Sequence, residues 1–225
     1  LHSSVLMAGL AILEAGSEEQ KQNLLPSIAN GSRILAFAVT EPEYGWTPDY
    51  VNLKADQSGD NYILNGTKLF VPDANVADQI VVAVRTGQEE NPSNGITLFV
   101  MPNTLSGIKT RTQSGWIGPK VCEINFENVI LTETNLIGNI GDAWPTIEQV
   151  LDKIPDLQEW HSLRAQKKFQ NIKWKEAVLK LHNIKKDTKI TSLYYKRLAY
   201  DEMLANFIIL SKLRRKIKRI TSGDY

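Results

Sequence analysis

Leu35-Ala36-Phe37-Ala38-Val39-Thr40-Glu41-Pro42-Glu43-Tyr44-Gly45 is the stretch on which the reading of this chain turns. Ile34 to Val39 is an unbroken apolar run that reads as a strand. Thr40-Glu41-Pro42 then reads as a turn, with Glu41 structural rather than catalytic. Phe37, taken by itself, is a core aromatic, the usual fate of an aromatic in a strand.

Outward from that stretch, residues 34–135 carry the marks of short strands joined by turns. Tyr62 to Val71 holds the dipeptide Asn65-Gly66, which predicts a tight hairpin between two strands. Gln79 to Val84 and Ile96 to Met101 read as short buried strands. Val121 to Val129 alternates, with Val121, Ile124, Phe126 and Val129 expected to point inward. Such a series predicts a small barrel or sandwich. Cys122 lies in the alternating strand and is expected to be a buried, inert thiol. It is the single cysteine, so no internal disulfide can form, which fits a reducing compartment.

Both flanks read as helical. Upstream, Val5, Leu6, Leu10, Ile12 and Leu13 form an apolar stripe and Gly16 stops the helix. Ser17 caps a second helix whose first turn holds Glu18, Glu19 and Gln20, whose buried face is Leu24, Leu25 and Ile28, and which ends at Gly31. Downstream, Pro145 suits a helix start and Pro155 a break. Leu157, Trp160, Leu163, Phe169, Ile172, Ala177, Val178 and Leu181 continue the spacing. A last helix carries Leu193, Leu198, Leu204, Ile208 and Leu213. The expected class is α+β: a helical segment (1–33), a middle β domain (34–144) and a helical C-terminal segment (145–225).

The charge is split along the chain. Residues 151–225 hold 18 Lys and Arg against 8 Asp and Glu, a net +10, while the first 150 hold 8 against 17, a net −9. The split marks regions of different character. The run Lys212-Leu213-Arg214-Arg215-Lys216-Ile217-Lys218-Arg219 reads as a solvated helix end favoured by the helix dipole, with an acidic membrane surface or nucleic acid as the competing reading. His2, His161 and His182 are scattered, and no spacing suits a metal. No apolar run approaches the twenty or so residues of a membrane helix. The first residues lack an initiator Met and a basic region, so no signal peptide is expected and the chain is expected to begin inside a longer frame.

The ordered series of motifs resembles the acyl-CoA dehydrogenase family. Leu35 to Gly45, with its Thr-Glu-Pro and Gly turn, is similar to that family's first signature. Asn65-Gly66-Thr67-Lys68-Leu69-Phe70-Val71 is similar to its second block. Ala77-Asp78, Arg85-Thr86, Gly95 to Val100, Ser106-Gly107-Ile108, Ile124 to Val129 and Gly138 to Trp144 follow in family order. Gly16 to Lys21 and Leu25 to Gly31 resemble the end of its N-terminal helical domain.

The resemblance implies a flavin site and FAD as cofactor. It implies that Phe37, Ala38, Val39 and Thr40 line the flavin ring, with the Thr40 hydroxyl near the nitrogen that accepts hydride. It places Gly45, Trp46 and Thr47 beside the cofactor phosphates and the pantetheine, and Phe70, Val71 and Pro72 against the isoalloxazine. Backbone donors at strand ends and Gly turns suit such a cofactor. Two positions depart from the family: Trp46-Thr47 follows the Gly turn where Ser-Asp is common, and Pro72 replaces a hydroxyl residue, so one flavin hydrogen bond is lost or replaced. The implied reaction is α,β-dehydrogenation of an acyl-CoA by a Glu base, with hydride passing to flavin. The implied partners are an acyl-CoA, an electron-transfer flavoprotein and further copies of the chain, with no nucleic acid and no membrane span. The implied location is the cytoplasm, or the mitochondrial matrix in a eukaryote.

The motifs stop after Ile154. The family's Arg-x-x-Phe-Gly stretch and its base have no counterpart, and Arg164-Ala165-Gln166-Lys167-Lys168-Phe169-Gln170 is a faint echo. The acids there, Asp156, Glu159, Glu176, Asp187, Asp201, Glu202 and Asp224, lack a matching context, so no catalytic base is assigned. Three readings stay open: a piece of a dehydrogenase or oxidase, a catalytically silent flavin- or CoA-binding remnant, and a family domain fused to a tail foreign to it.

Overall fold

Ser17 starts the second helix as expected, with a reciprocal cap. Its Oγ accepts from the Gln20 N–H at 3.2 Å while Gln20 Oε1 accepts from the Ser17 N–H at 3.0 Å. The computed structural model describes residues 7–43, 45, 47–113, 121–153, 159, 161–182 and 193–221. The expectations placed on Val5, Leu6, Trp46, Pro155, Leu157 and Trp160 lie outside these residues. The chain divides into two compact units, Leu1–Ile154 and Pro155–Tyr225.

In unit 1, helices α1 (Leu10–Ala15), α2 (Glu18–Ala29) and α3 (Trp144–Asp152) accompany eight strands. The strands are β1 (Leu35–Ala38), β2 (Lys54–Ser58), β3 (Asn61–Pro72), β4 (Gln79–Arg85), β5 (Ile96–Pro102), β6 (Ile108–Gln113), β7 (Val121–Thr132) and β8 (Leu136–Ile137). They form one folded sheet in the order β6-β7-β3-β2-β4-β5-β8, with β1 parallel to β4. The sheet is sandwich-like and does not close into a barrel. Ala36, Ala38, Ile80, Val82, Phe99 and Met101 point into the core inside the sheet. Their alternates Leu35, Phe37, Val81, Ala83, Leu98 and Val100 meet Ile12, Leu24, Ile28, Trp144 and Val150 of the helices. Burial on both faces explains why β1, β4 and β5 read as unbroken apolar runs. The apolar stripe of α1 is narrower than the sequence suggests: Ile12 is buried, but Leu13 is exposed.

The hairpin expected at Asn65-Gly66 is not there. β3 runs unbroken through both residues and pairs with β7 along its length. The turn lies one motif earlier, at Gly59-Asp60, between the paired Ser58 and Asn61, with Gly59 at φ +61°. Asn65-Gly66 instead faces a bulge. A three-residue step of β7, from Phe126 to Val129, faces the two-residue step from Gly66 to Leu64. Asn65 Oδ1 accepts from the Asn128 N–H at 2.8 Å, and Asn128 sits at φ +52°. The bulge reverses the alternation, so Ile124 and Phe126 point inward in one phase and Val129 and Leu131 in the other. Cys122 is buried as expected, and it holds the inward position at the start of β7 where Val121 is only half-buried.

Gly66 has φ +145°, and an added Cβ would lie 2.5 Å from Leu53 Cδ1. Gly66→Ala is therefore expected to cost about 1–3 kcal/mol of stability. Urea unfolding checks this, and an unchanged midpoint would contradict it.

In unit 2, α4 (Leu163–Lys168), α5 (Trp174–His182) and α6 (Leu193–Thr221) are helical as the spacing predicts. Phe169 and Ala177 are buried, whereas Leu163 is exposed. The basic run falls on the end of α6, where Arg214 is exposed. Among the described residues no helix is long and apolar enough to cross a membrane.

Candidate cofactor site

β1 leaves the sheet at Val39-Thr40, and β3 passes beside it. The Leu69 N–H donates to the Thr40 carbonyl at 2.9 Å, and Lys68 Nζ donates to the Val39 carbonyl at 2.9 Å. Immediately after this contact β3 bulges. Its three-residue step from Lys68 to Val71 faces two residues of β7, and Phe70 takes φ +53°. That backbone turns the Phe70 ring outward, 39% exposed, instead of into the core. A half-buried hydroxyl residue at the β1 exit is thus bonded to β3 one residue before its exposed aromatic.

The nominated residues divide into two groups. Val39, Thr40 and Pro72 are half-buried and Phe70 is exposed. The side chains of Phe37, Ala38 and Val71 are buried, Phe37 on the helix side and the other two inside the sheet. Only the backbones of these three are left to face this surface. Gly45 and Thr47 lie on the loop that follows β1. An added Cβ at Gly45 would lie 1.8 Å from the Tyr50 ring, so only glycine fits against it. Thr47 Oγ1 donates to Asp49 Oδ2 at 3.3 Å, ahead of a short 3-10 turn at Pro48–Tyr50.

Beneath these residues lies a buried ion pair. Lys68 is 0% and Glu41 4% exposed, and Nζ to Oε1 is 2.6 Å. The Glu41 carboxylate also accepts the Asn52 N–H, at 2.9 and 3.0 Å, and the Leu53 N–H at 2.9 Å. Arg85 ties the same region from β4, with its guanidinium on the carbonyls of Pro48 (2.6 Å), Val51 (3.0 Å), Pro92 (2.8 Å) and Asn94 (2.9 Å). Burial lowers the Arg85 pKa, with Asp49 and Glu41 opposing. Glu41 is structural, as its turn context suggests. Lys68 is the residue that sequence reasoning missed, although a signal existed. Once β3 is read as continuous, Tyr62, Leu64 and Lys68 share one inward parity.

Burial lowers the Lys68 pKa to about 8, against the opposing pull of Glu41. Between this value and the ordinary 10.5, the unfolded chain holds a proton that the folded chain lacks. The contribution of Lys68 to stability therefore rises with pH across that window, and below it folding bears the full cost of burying the ammonium. Lys68→Met leaves Glu41 as an uncompensated buried charge and is expected to cost about 3–5 kcal/mol, most of it recovered in Lys68→Met/Glu41→Gln. Urea unfolding at about pH 7.5 and about pH 9.5 should show the native chain gaining on that double variant as pH rises. Parallel pH profiles would contradict the assignment.

Unit 2 holds its own buried charge cluster. Arg197, 1% exposed, ion-pairs with Asp201 and with Glu159 Oε2 (2.7 Å), and donates to the Ile172 carbonyl. His161 contacts Asp201 and Arg197. Burial raises the Glu159 pKa, but hydrogen bonds from Arg197 and the His161 N–H, with their charges, hold it below the usual carboxylate range. Two of the seven acids of this segment are thus committed to Arg197. Among the described residues no group of three His, Cys, Asp or Glu side chains could hold a metal ion.

Residues 36–129 match the family model described as "Acyl-CoA dehydrogenase, middle domain". These residues are thus a middle domain of the acyl-CoA dehydrogenase family. It is 32% identical over 154 residues to the 3-(aryl)acrylate reductase of Clostridium sporogenes, covering 67% of this chain and 41% of that protein. It is 33% identical over 144 residues to the short-chain specific acyl-CoA dehydrogenase of Clostridium acetobutylicum, covering 63% and 38%. Its structure is similar to a glutaryl-CoA dehydrogenase from Mycobacterium smegmatis solved with FADH2 (TM-score 0.59, 28% identity, 65% of this chain and 37% of that one). The chain spans about 40% of the length of the curated relatives it matches.

Proposed function

We propose that this chain is the cofactor-binding part of an FAD-dependent acyl-CoA dehydrogenase. The carrying observation is the surface where Thr40 is bonded to β3 one residue before the outward Phe70, within the matched middle domain. The residues suit an isoalloxazine. Phe70 offers an aromatic face, Thr40 a hydroxyl, and the β1 exit offers backbone groups for polar edges. Bound FAD would supply the hydride acceptor for α,β-dehydrogenation of an acyl-CoA thioester. Val39 and Thr40 would hold one edge of the ring, and Phe70 would lie against it and exclude water. Phe37, Ala38, Val71 and Pro72 would frame the site through backbone and packing. Gly45 and Thr47, with Trp46 between them, would take the phosphates and the pantetheine. The relatives, an FADH2 complex among them, support this assignment.

The same reading extends to an electron-transfer flavoprotein as acceptor, a homo-oligomeric whole protein and a role in fatty acid metabolism in the cytoplasm or mitochondrial matrix. A silent flavin- or CoA-binding remnant is the second reading. It is favoured by Glu159 and Asp201, whose carboxylates are engaged by Arg197. The division into domains is proposed as N-terminal helical end (1–33), flavin domain (34–144) and basic helical segment (145–225).

Equilibrium dialysis of the purified chain with FAD should give saturable binding that Phe70→Ala weakens by about 1–3 kcal/mol, the usual worth of aromatic stacking on a base or ring. No retention of FAD after reconstitution would overturn both readings. Flavin that binds but is not bleached by any acyl-CoA without oxygen would leave the remnant.

A further inference from the structure

Glu41 and Lys68 lie outside the residues nominated to touch a cofactor, yet both flanks of the site hang on them. β1 and β2 are joined by a connection. Its neck is closed by one carboxylate, since Glu41 accepts the N–H groups of Asn52 and Leu53 at 2.9–3.0 Å. Gly45 and Thr47 lie on that connection. On the other flank, Lys68 Nζ reaches both Glu41 Oε1 (2.6 Å) and the Val39 carbonyl (2.9 Å). The next residue, Leu69, holds Thr40. One ammonium and one carboxylate therefore join the loop, the β1 exit and the strand that carries Phe70.

We propose that Glu41 is the positioning residue of the cofactor site: its buried carboxylate, neutralised by Lys68, staples the return of the chain to β2 and the β1 exit in the geometry the dinucleotide requires, without touching it. This rests on the flavin reading above. Its physical basis is preorganisation. A loop already closed loses less freedom when a ligand arrives, so affinity gains without a new contact. A carboxylate suits the task because it accepts several N–H groups at once. Burial strengthens those bonds but requires the counter-charge that Lys68 supplies.

Two double variants of the full chain separate positioning from plain stability. Glu41→Met/Lys68→Met fills the space with no charge and no acceptor. Glu41→Gln/Lys68→Met also lacks charge but keeps an acceptor oxygen for the Asn52 and Leu53 N–H groups. FAD is titrated into both and into the native chain, with urea midpoints measured alongside. The expected result is an affinity loss of about tenfold or more for Met/Met and recovery to within about threefold of native for Gln/Met, whatever the order of the midpoints. Affinities that follow the midpoints, or that do not change, overturn the proposal. Should Met/Met not fold, Gln/Met decides by itself: affinity within about threefold of native sustains the proposal and a tenfold loss overturns it. Should the native chain bind no FAD, the flavin reading fails separately. Amide exchange then decides the staple. Asn52 and Leu53 should lose protection in Met/Met and keep it in Gln/Met, with Val81 and Leu98 unaffected, and equal protection in the two overturns it.

Discussion

The ion pair between Lys68 and Glu41 is the constraint from which the rest of unit 1 is best understood. A lysine with no exposed surface in the middle of a strand is costly unless its charge is met, and here it is met by a carboxylate and a backbone carbonyl. The carboxylate is in turn satisfied by two backbone N–H groups from the start of the next segment. Every group in this cluster therefore needs the others. The same bonds fix where β1 stops, where the following loop begins and ends, and which way β3 runs as it approaches its bulge. A hydrophobic pair of equal volume could hold strands together, but it could not close a loop neck through hydrogen bonds.

The bulges turn that frame into a surface. Strict alternation through Lys68 would place Phe70 inward with it and Val71 outward. The extra residue between Lys68 and Val71 lets Lys68 and Val71 both point inward while Phe70 faces out at φ +53°. The second bulge, at Glu127-Asn128, reverses the phase of β7 and lets a long strand curve around the core. The sheet thus presents an aromatic ring on β3 near the hydroxyl residue at the β1 exit while its core remains filled.

The outline of this arrangement was legible in the sequence, and its detail was not. Apolar runs marked β1, β4 and β5 because those strands are buried on both faces. Ser17 and Gln20 marked the start of α2 because a capping box is a local interaction. Asn65-Gly66 misled because the residues that favour a two-residue turn also suit a bulge, where Gly66 takes a positive φ and Asn65 caps the opposing Asn128. Gly59-Asp60 carried the true turn. The misplaced hairpin broke the parity of β3 and hid Lys68, so the buried pair could not be read. Thr40, Gly45 and Phe70 were nominated through resemblance, since no local pattern reveals that a bulge will turn an aromatic outward. In unit 2, helical spacing was legible, but the joining of Glu159, His161, Arg197 and Asp201 depends on long-range packing that spacing does not encode.

The proposed flavin seat lies where the β1 exit meets the β3 bulge. Amide chemical shifts of the chain, recorded as FAD is added, test it most directly. The largest changes are expected at Thr40, Leu69 and Phe70, with smaller ones at Gly45 and Thr47. Saturable binding whose shifts fall elsewhere, leaving Thr40 and Phe70 unmoved, would contradict it.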